Sequence, residues 1–352
     1  MSYELIGIAV LWTFLFGYLI VASIDFGAGF FNYYSTVTGK NHLVGKVIYR
    51  YLSPFWEVTN VFLVFFFVGV IGFFPRTAYY YGTALLIPGS VAIIMLAIRG
   101  AYYAFNTYGL SQHRSYMFLY GATGVLIPAA LSTVLTLSEG GYIEEVPGIA
   151  GGSRIRLDYA ELLLSSYSWS VVLLAVVSVL YISAMFLTYY AASAKDAAAT
   201  EQLRRYALAW SLPTIVSSLF VFISIREHSR WHFDHMIRWS PMFVLSFCCF
   251  AGAVVLVWRR IRYGAAFGLV MLQFAFAFYG YGAAHLPYLL YPYLNIKDSV
   301  TGDAMAWALI IAFIAGFCLL LPSLILLMRL FLFDAKYVQD KLILEQGKER
   351  AE

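Results

Sequence analysis

The chain has 352 residues, of which 62% are hydrophobic, 18% aromatic and only 12% charged. A soluble globular domain carries roughly 45–50% apolar and about 25% charged residues, so that class is excluded, and so is a disordered chain. The formal net charge of +4 comes from 23 basic residues scattered along the sequence, which form no patch for nucleic acid. At about 20 apolar residues per crossing the chain has room for eight to ten spans, and it reads as an integral, many-spanning membrane protein.

Apolar runs bounded by charge, Pro or Gly predict nine spans: 5–31, 54–74, 79–104, 116–137, 168–190, 206–225, 241–258, 265–284 and 304–331. The runs are continuous, whereas a transmembrane barrel alternates over segments of about ten residues, so the expected fold is all-α. Two four-helix bundles plus one extra helix are a natural partition, although no repeat of 20 to 50 residues supports it. Residues 1–332 are expected to form one transmembrane domain and 333–352 a cytoplasmic tail. The start, Met1-Ser2-Tyr3-Glu4, has no basic region and no small-residue cleavage site follows it, so the first run is expected to stay as a helix. Cys248, Cys249 and Cys318 fall inside apolar runs and read as small apolar side chains rather than a disulfide framework.

Orientation follows from Lys and Arg in the connections. Counting Arg99, sixteen of the 23 fall on the side of the first, third, fifth and seventh connections and the tail. The N-terminus is therefore expected outside and the C-terminus in the cytoplasm. The longest outer connection, 138–167, carries Glu139, Glu144, Glu145, Asp158 and Glu161 against Arg154 and Arg156, and Gly140, Gly141, Gly151 and Gly152 predict turns rather than a domain.

An ionisable residue in hydrocarbon is costly enough to be a functional hypothesis by default. Asp25 lies in Ser23-Ile24-Asp25-Phe26-Gly27-Ala28-Gly29, about 30 Å of helix from the outer end of the first span. No capping role is available there, which leaves function or a structural ion pair. Glu57 lies in Ser53-Pro54-Phe55-Trp56-Glu57-Val58-Thr59-Asn60, and Arg99 near the inner end of the third span. Together they place two carboxylates and a guanidinium in one cytoplasmic-side layer, the chemistry of a proton-uptake path. Ser53-Pro54 is also a good helix start, which would make Glu57 a partner of the helix dipole only. Arg99 could equally snorkel to the headgroups. Gly27 and Gly29 read as sites of close backbone approach rather than a ligand cradle.

The six histidines avoid the middles of the spans, which argues against a bis-histidine haem held in this bundle. His228, His232 and His235 have spacings that, with Asp234, could ligate zinc. The stronger reading is an interfacial amphipathic stretch in which Trp231 and Phe233 touch headgroups, and no metal site is expected. Tyr79-Tyr80-Tyr81, Tyr288, Tyr291 and Tyr293 read as an aromatic belt. A proton-coupled secondary transporter is the alternative of another class, since Pro88, Pro128 and Pro213 suit broken helices. Against it, the carboxylates crowd one side instead of the midplane.

The first 110 residues resemble subunit II of a cytochrome bd type quinol oxidase. The likeness rests on Ile24-Asp25-Phe26-Gly27-Ala28-Gly29, on Pro54-Phe55-Trp56-Glu57 through Asn60-Val61-Phe62, and on Arg99-Gly100, with Tyr291-Pro292-Tyr293 similar to a later family feature. The chain departs from the family at Val21-Ala22-Ser23, where many relatives have a further acid and a glycine. It departs again at Val58-Thr59, in place of Gly-Asn, and at Glu57, often Asp. Ser23, Thr59 and Asn60 are the candidates to complete the hydrogen-bond network. The resemblance implies a heterodimer whose subunit I binds two haems b and one haem d and oxidises quinol. This chain would then be haem-free and would stabilise that partner within the lipid, with Asp25 and Glu57 relaying protons and Arg99 tuning their charge. A small single-span third subunit occurs in some relatives.

Overall fold

The structure is a computed structural model that describes residues 3–107, 114–147 and 153–329. Within these ranges the side chains of residues 46, 49–57, 104–107, 145–147, 153–154 and 327–328 lie outside the description.

The first half of the chain comprises α1 (Tyr3–Val37), α2 (Asn41–Phe73), α3 (Pro75–Ala84), α4 (Leu86–Thr107) and α5 (Arg114–Ser138). A hairpin of β1 (Ile143–Pro147) and β2 (Ser153–Leu157) and the short α6 (Tyr159–Leu164) follow. The second half runs through α7 (Ser166–Ser193), α8 (Ala197–His228), α9 (Arg230–Arg238), α10 (Ser240–Trp258) and α11 (Tyr263–His285). It closes with β3 (Tyr288–Leu290), β4 (Leu294–Asn295), α12 (Ile296–Ser299) and α13 (Asp303–Met328). Among the described residues eight helices are long and apolar enough to cross a membrane, and α2 with α3 forms a ninth candidate bent by 119°. The protein is an all-α membrane protein, as its hydropathy predicts.

Packing follows the expected partition. α1, α2, α4 and α5 pack as one group and α7, α8, α10 and α11 as another, while α13 lies against α1 and α2. The groups meet where α7 crosses α1 and α5. Both central helices are rich in small residues at the crossing, because in lipid the gain comes from close contact rather than from leaving water. A Cβ on Gly27 would stand 2.3 Å from the Ser183 Cβ and 2.9 Å from the Val179 carbonyl oxygen. Ser183 uses that closeness to donate from Oγ to the Ile24 carbonyl at 2.9 Å.

Four expectations about the elements are corrected. The second helix starts at Asn41, so Ser53-Pro54 does not open it and Glu57 is well inside α2. Lys46 and Arg50 interrupt the hydropathy there, yet Val44, Val47 and Ile48 form an apolar face that is fully buried. A proline within a membrane helix is tolerated because neighbouring groups take up the freed carbonyl. The expected span 79–104 is broken, since the chain turns at Phe74-Pro75 and again at Leu85, and α4 begins at Leu86. The tyrosine run belongs to α3, tied down by Tyr81 donating to the Leu289 carbonyl at 2.8 Å. In the same way Arg204 and Arg205 lie within α8, which starts from an Asp196 cap whose Oδ1 accepts the Ala199 amide at 3.0 Å. The connection 138–167 holds the antiparallel β1–β2 hairpin, paired from Ile143 with Leu157 to Pro147 with Ser153. The tail from 330 onward lies outside the described residues.

Gly140 shows why this connection needs its glycines. Its φ is +76°, and a Cβ there would lie 2.2 Å from the Tyr291 carbonyl oxygen. Gly39 has a similar φ of +71° but nothing within 4 Å. Gly39→Ala should therefore cost only the left-handed backbone, about 1–2 kcal/mol. Gly140→Ala should cost that and also break the seating of the β3–β4 turn on residue 140. The expected result is a distinctly larger drop in the thermal midpoint for Gly140→Ala, and equal drops would show that the contact is soft.

Candidate functional site

Asp25 and Arg99, 74 residues apart, meet between α1 and α4 with no solvent exposure on either side chain. Arg99 Nε donates to Asp25 Oδ2 at 2.8 Å and Nη2 to the Asp25 carbonyl at 2.5 Å. Nη1 donates to the Tyr120 carbonyl at 3.2 Å and to Thr123 Oγ1 at 3.4 Å. The guanidinium lies 4.1 Å from the Tyr120 ring centroid and 5.2 Å from that of Phe26. All of its charge is thus spent inside the bundle, and the snorkelling reading of Arg99 is overturned. A buried charge is tolerated only when paired and hydrogen-bonded, and here the pair with Asp25 is joined by hydrogen bonds from four of the five guanidinium N–H groups.

The other oxygen of Asp25, Oδ1, accepts from the Tyr103 hydroxyl, and Tyr103 in turn shares a 3.0 Å hydrogen bond with the Tyr120 hydroxyl. Arg99 and Tyr103 are one turn apart on α4, so one helix face presents both to Asp25. Helix α5 brings Tyr120 and Thr123, and glycine makes room for them. A Cβ on Gly29 would meet Arg99 Nη1 and the Tyr120 carbonyl, both at 2.9 Å, and one on Gly124 would meet the Phe26 carbonyl at 2.2 Å. A side chain at either Gly27 or Gly29 would collide with a neighbouring helix.

Of the remaining candidates, Ser23 is buried and its hydroxyl donates to the Leu19 carbonyl one turn back. Thr59 is buried and Asn60 half-buried on α2. The side chains of Pro54, Trp56 and Glu57 lie outside the described residues. Tyr103, Tyr120 and Thr123 were not singled out from the sequence. The one local signal is the spacing of Arg99 and Tyr103, because aromatic hydroxyls elsewhere in such a chain mark the interface.

The histidines form a second assembly, at the face that carries the N-terminus. His232 is fully buried and its Nδ1 is 2.5 Å from Glu139 Oε1, while His285 Nδ1 lies 3.4 Å from the same oxygen and 3.3 Å from His232 Nδ1. Burial alone would push the Glu139 carboxyl up. The hydrogen bonds from His232 and His285 outweigh it and hold the group well below the usual carboxylate range. His228 is sandwiched between Tyr142 and Tyr167, with ring centroids 4.9 and 5.0 Å away, and His235 Nδ1 is 2.7 Å from the Trp231 carbonyl. The interfacial reading of this stretch is therefore corrected for His232. The helical spacings with Asp234 do not assemble it; α9 turns His232 inward onto residues from two other elements.

A polytopic helical bundle with a buried carboxylate–guanidinium pair between its first helices defines a class of membrane subunit rather than a soluble enzyme. Residues 3–331 match the family described as cytochrome bd terminal oxidase subunit II. A Bacillus subtilis (strain 168) protein that bears the provisional name of a cytochrome bd menaquinol oxidase subunit II is 30% identical over 346 residues, covering 96% of this chain and 98% of its own. A chain in the structure of bd oxidase from Geobacillus thermodenitrificans is 57% identical, with a TM-score of 0.83 over 95% of this chain and 100% of that one. The chain belongs to the cytochrome bd oxidase subunit II family, and is a subunit of a terminal quinol oxidase that works in complex with a subunit I partner. The carrier alternative has no support left.

Family membership implies haems in the complex. Among the described residues no histidine lies mid-span: His42 begins α2, His285 ends α11, and the others sit in or beside α9. His113 lies outside the described residues. The described histidines therefore do not offer a mid-span haem ligand.

Proposed function

We propose that this chain is the haem-free half of the oxidase, which stabilises the haem-bearing subunit I and conducts protons toward it from the cytoplasm. It has no catalytic centre of its own; two haems b, one haem d and the quinol site belong to the partner. The observation that carries this reading is the wholly buried Asp25–Arg99 pair, continued by the hydroxyls of Tyr103 and Tyr120. Intramembrane carboxylates linked to such chains mark proton relays. Reduction of oxygen to water consumes four protons with four electrons, and a path to the cytoplasm supplies them. Asn32 supports a hydrated approach. It lies about two turns beyond Asp25 on the same side of α1, fully buried, with both amide atoms lacking a protein partner. Buried polar groups of this kind are satisfied by water. Glu57 enters as a second carboxylate on α2 at about the depth of Asp25, since Gly7 faces Phe73 and Gly17 faces Phe62 across the antiparallel α1 and α2. Thr59 and Asn60 follow on the next turn, and Arg99 sets the charge at Asp25. The name of the Bacillus subtilis relative supports menaquinol as the substrate at the partner. Lipid surrounds the exposed apolar faces, and a small single-span third subunit completes the assembly in the manner of some relatives.

One observation favours a second reading, a purely structural clamp: both oxygens of Asp25 are already held, by Arg99 and Tyr103. The combined variant Asp25→Asn with Glu57→Gln separates the two. In an assembled oxidase with unchanged haem spectra, proton uptake coupled to oxygen reduction in proteoliposomes should fall about a hundredfold or more, within the range for loss of a proton-transferring side chain. Uptake at the full rate would sink the relay and leave the clamp.

A further inference from the structure

Glu139, His232 and His285 come from three places in the chain and offer ligand atoms that all lie within 4.8 Å of one another. Nothing in the reading of the oxidase uses them. They stand at the N-terminal face, at the end of α5, inside α9 and at the end of α11, remote in sequence from the Asp25 site. Exposure is 2% for Glu139, 0% for His232 and 8% for His285, so bulk water does not account for their polar atoms. The contacts are unevenly shared. Glu139 Oε1 takes His232, His285 and the Tyr281 hydroxyl, while Glu139 Oε2 and the Nε2 atoms of both histidines are buried with no hydrogen-bond partner.

We propose that this cluster is a binding site for a divalent, zinc-type cation, held by Nδ1 of His232, Nδ1 of His285 and the Glu139 carboxylate. Two imidazoles and one carboxylate are a recurrent three-ligand set for zinc, with a fourth position left for water. Metal–nitrogen bonds of about 2.0–2.1 Å at tetrahedral angles place ligand atoms about 3.3–3.4 Å apart. The edges from His285 Nδ1 to His232 Nδ1 and to Glu139 Oε1 are 3.3 and 3.4 Å. The third edge, 2.5 Å, is a hydrogen bond whose proton the cation displaces. Its Oε2 lone pairs give the carboxylate a second point of attachment, so the Tyr281 bond to Oε1 can persist. An open cleft of about 560 Å³, lined by Tyr142, Tyr167 and His228 among others, reaches Tyr167, which borders the cluster. Bound there, the cation ties the ends of α5, α9 and α11 into one unit.

The test uses the intact oxidase purified through a tag without histidines, incubated with zinc sulfate, and desalted in the presence of a weak chelator. Zinc is then counted by elemental analysis, and the ligands are read by X-ray absorption at the zinc edge. About one zinc per complex is expected, with two imidazoles in the scattering pattern. The His232→Gln, His285→Gln double variant should lose that zinc, and His235→Gln should keep it. A wild-type complex that retains no zinc, zinc without imidazole scattering, or undiminished zinc in the double variant would each overturn the site. If the double variant does not assemble, the wild-type count and spectrum decide by themselves.

Discussion

Arg99→Gln should destabilise the assembled protein by about 3–5 kcal/mol, the usual cost of leaving one member of a buried ion pair alone. The loss is large because Arg99 does more than neutralise Asp25. Its guanidinium also holds the Asp25 carbonyl, the Tyr120 carbonyl and Thr123, and it packs on the Tyr120 ring. Glutamine keeps the stem but has too few donors, and it leaves a carboxylate in hydrocarbon with Tyr103 as its main partner. Asp25→Asn should be milder. The amide oxygen still accepts, and the Arg99 charge keeps its carbonyl and aromatic partners. Combining the two substitutions should recover part of the Arg99→Gln loss, since no unpaired carboxylate remains. The measurement is the yield of haem-containing complex and its thermal midpoint in detergent for both single variants and the double. An Arg99→Gln complex within about 1 kcal/mol of the parent would mean that the pair contributes little to the fold.

Gly124→Ala is the second substitution with a large expected effect, although it adds one methyl group. The new Cβ would lie 2.2 Å from the Phe26 carbonyl oxygen and 3.1 Å from its carbon, so the obstacle is backbone and cannot rotate away. Helix α5 has to move off α1, and overpacking of this kind costs roughly 1–3 kcal/mol. Phe26 follows Asp25, and Thr123 precedes Gly124, so the same shift carries Tyr120 and Thr123 away from Arg99. Stability and proton uptake should fall together. Gly89 on α4 is the internal control, because a methyl group added there would have nothing within 4 Å. Gly89→Ala should be neutral or slightly stabilising, because alanine is the better helix former by about 1 kcal/mol. Equal behaviour of the two alanine variants would show that the α1–α5 crossing is more compliant than its geometry implies.

These two substitutions act on the same crossing because the site is made by contact between helices rather than by any one of them. Gly27 seats α7 on α1, Gly124 seats α5 on α1, and Gly29 opens the space that Arg99 and Tyr120 fill. Gly27 and Gly29 were legible as positions of close approach, since a small residue near a membrane carboxylate has few other uses; Gly124, far from any charge in the sequence, was not. Which helix each one meets was not legible.

The amino-acid sequence by itself determined what is local and additive. Hydropathy summed over about 20 residues gives the membrane class, the helical fold and the number of spans. The cost of a charge in hydrocarbon singles out Asp25 and Arg99 with no knowledge of their neighbours. The same local averaging failed where a helix is amphipathic, as at Val44, Val47 and Ile48, and where a run bends, as at Phe74-Pro75. Only the tertiary structure decided which distant groups share a buried space. It joined Asp25 to Arg99 across 74 residues, added the hydroxyls of Tyr103 and Tyr120, and gathered Glu139, His232 and His285 from three elements. The physical reason is that hydrogen bonds and ion pairs act over about 3 Å, so they depend on how helices cross, and helix crossing is set by packing that no local window of residues contains.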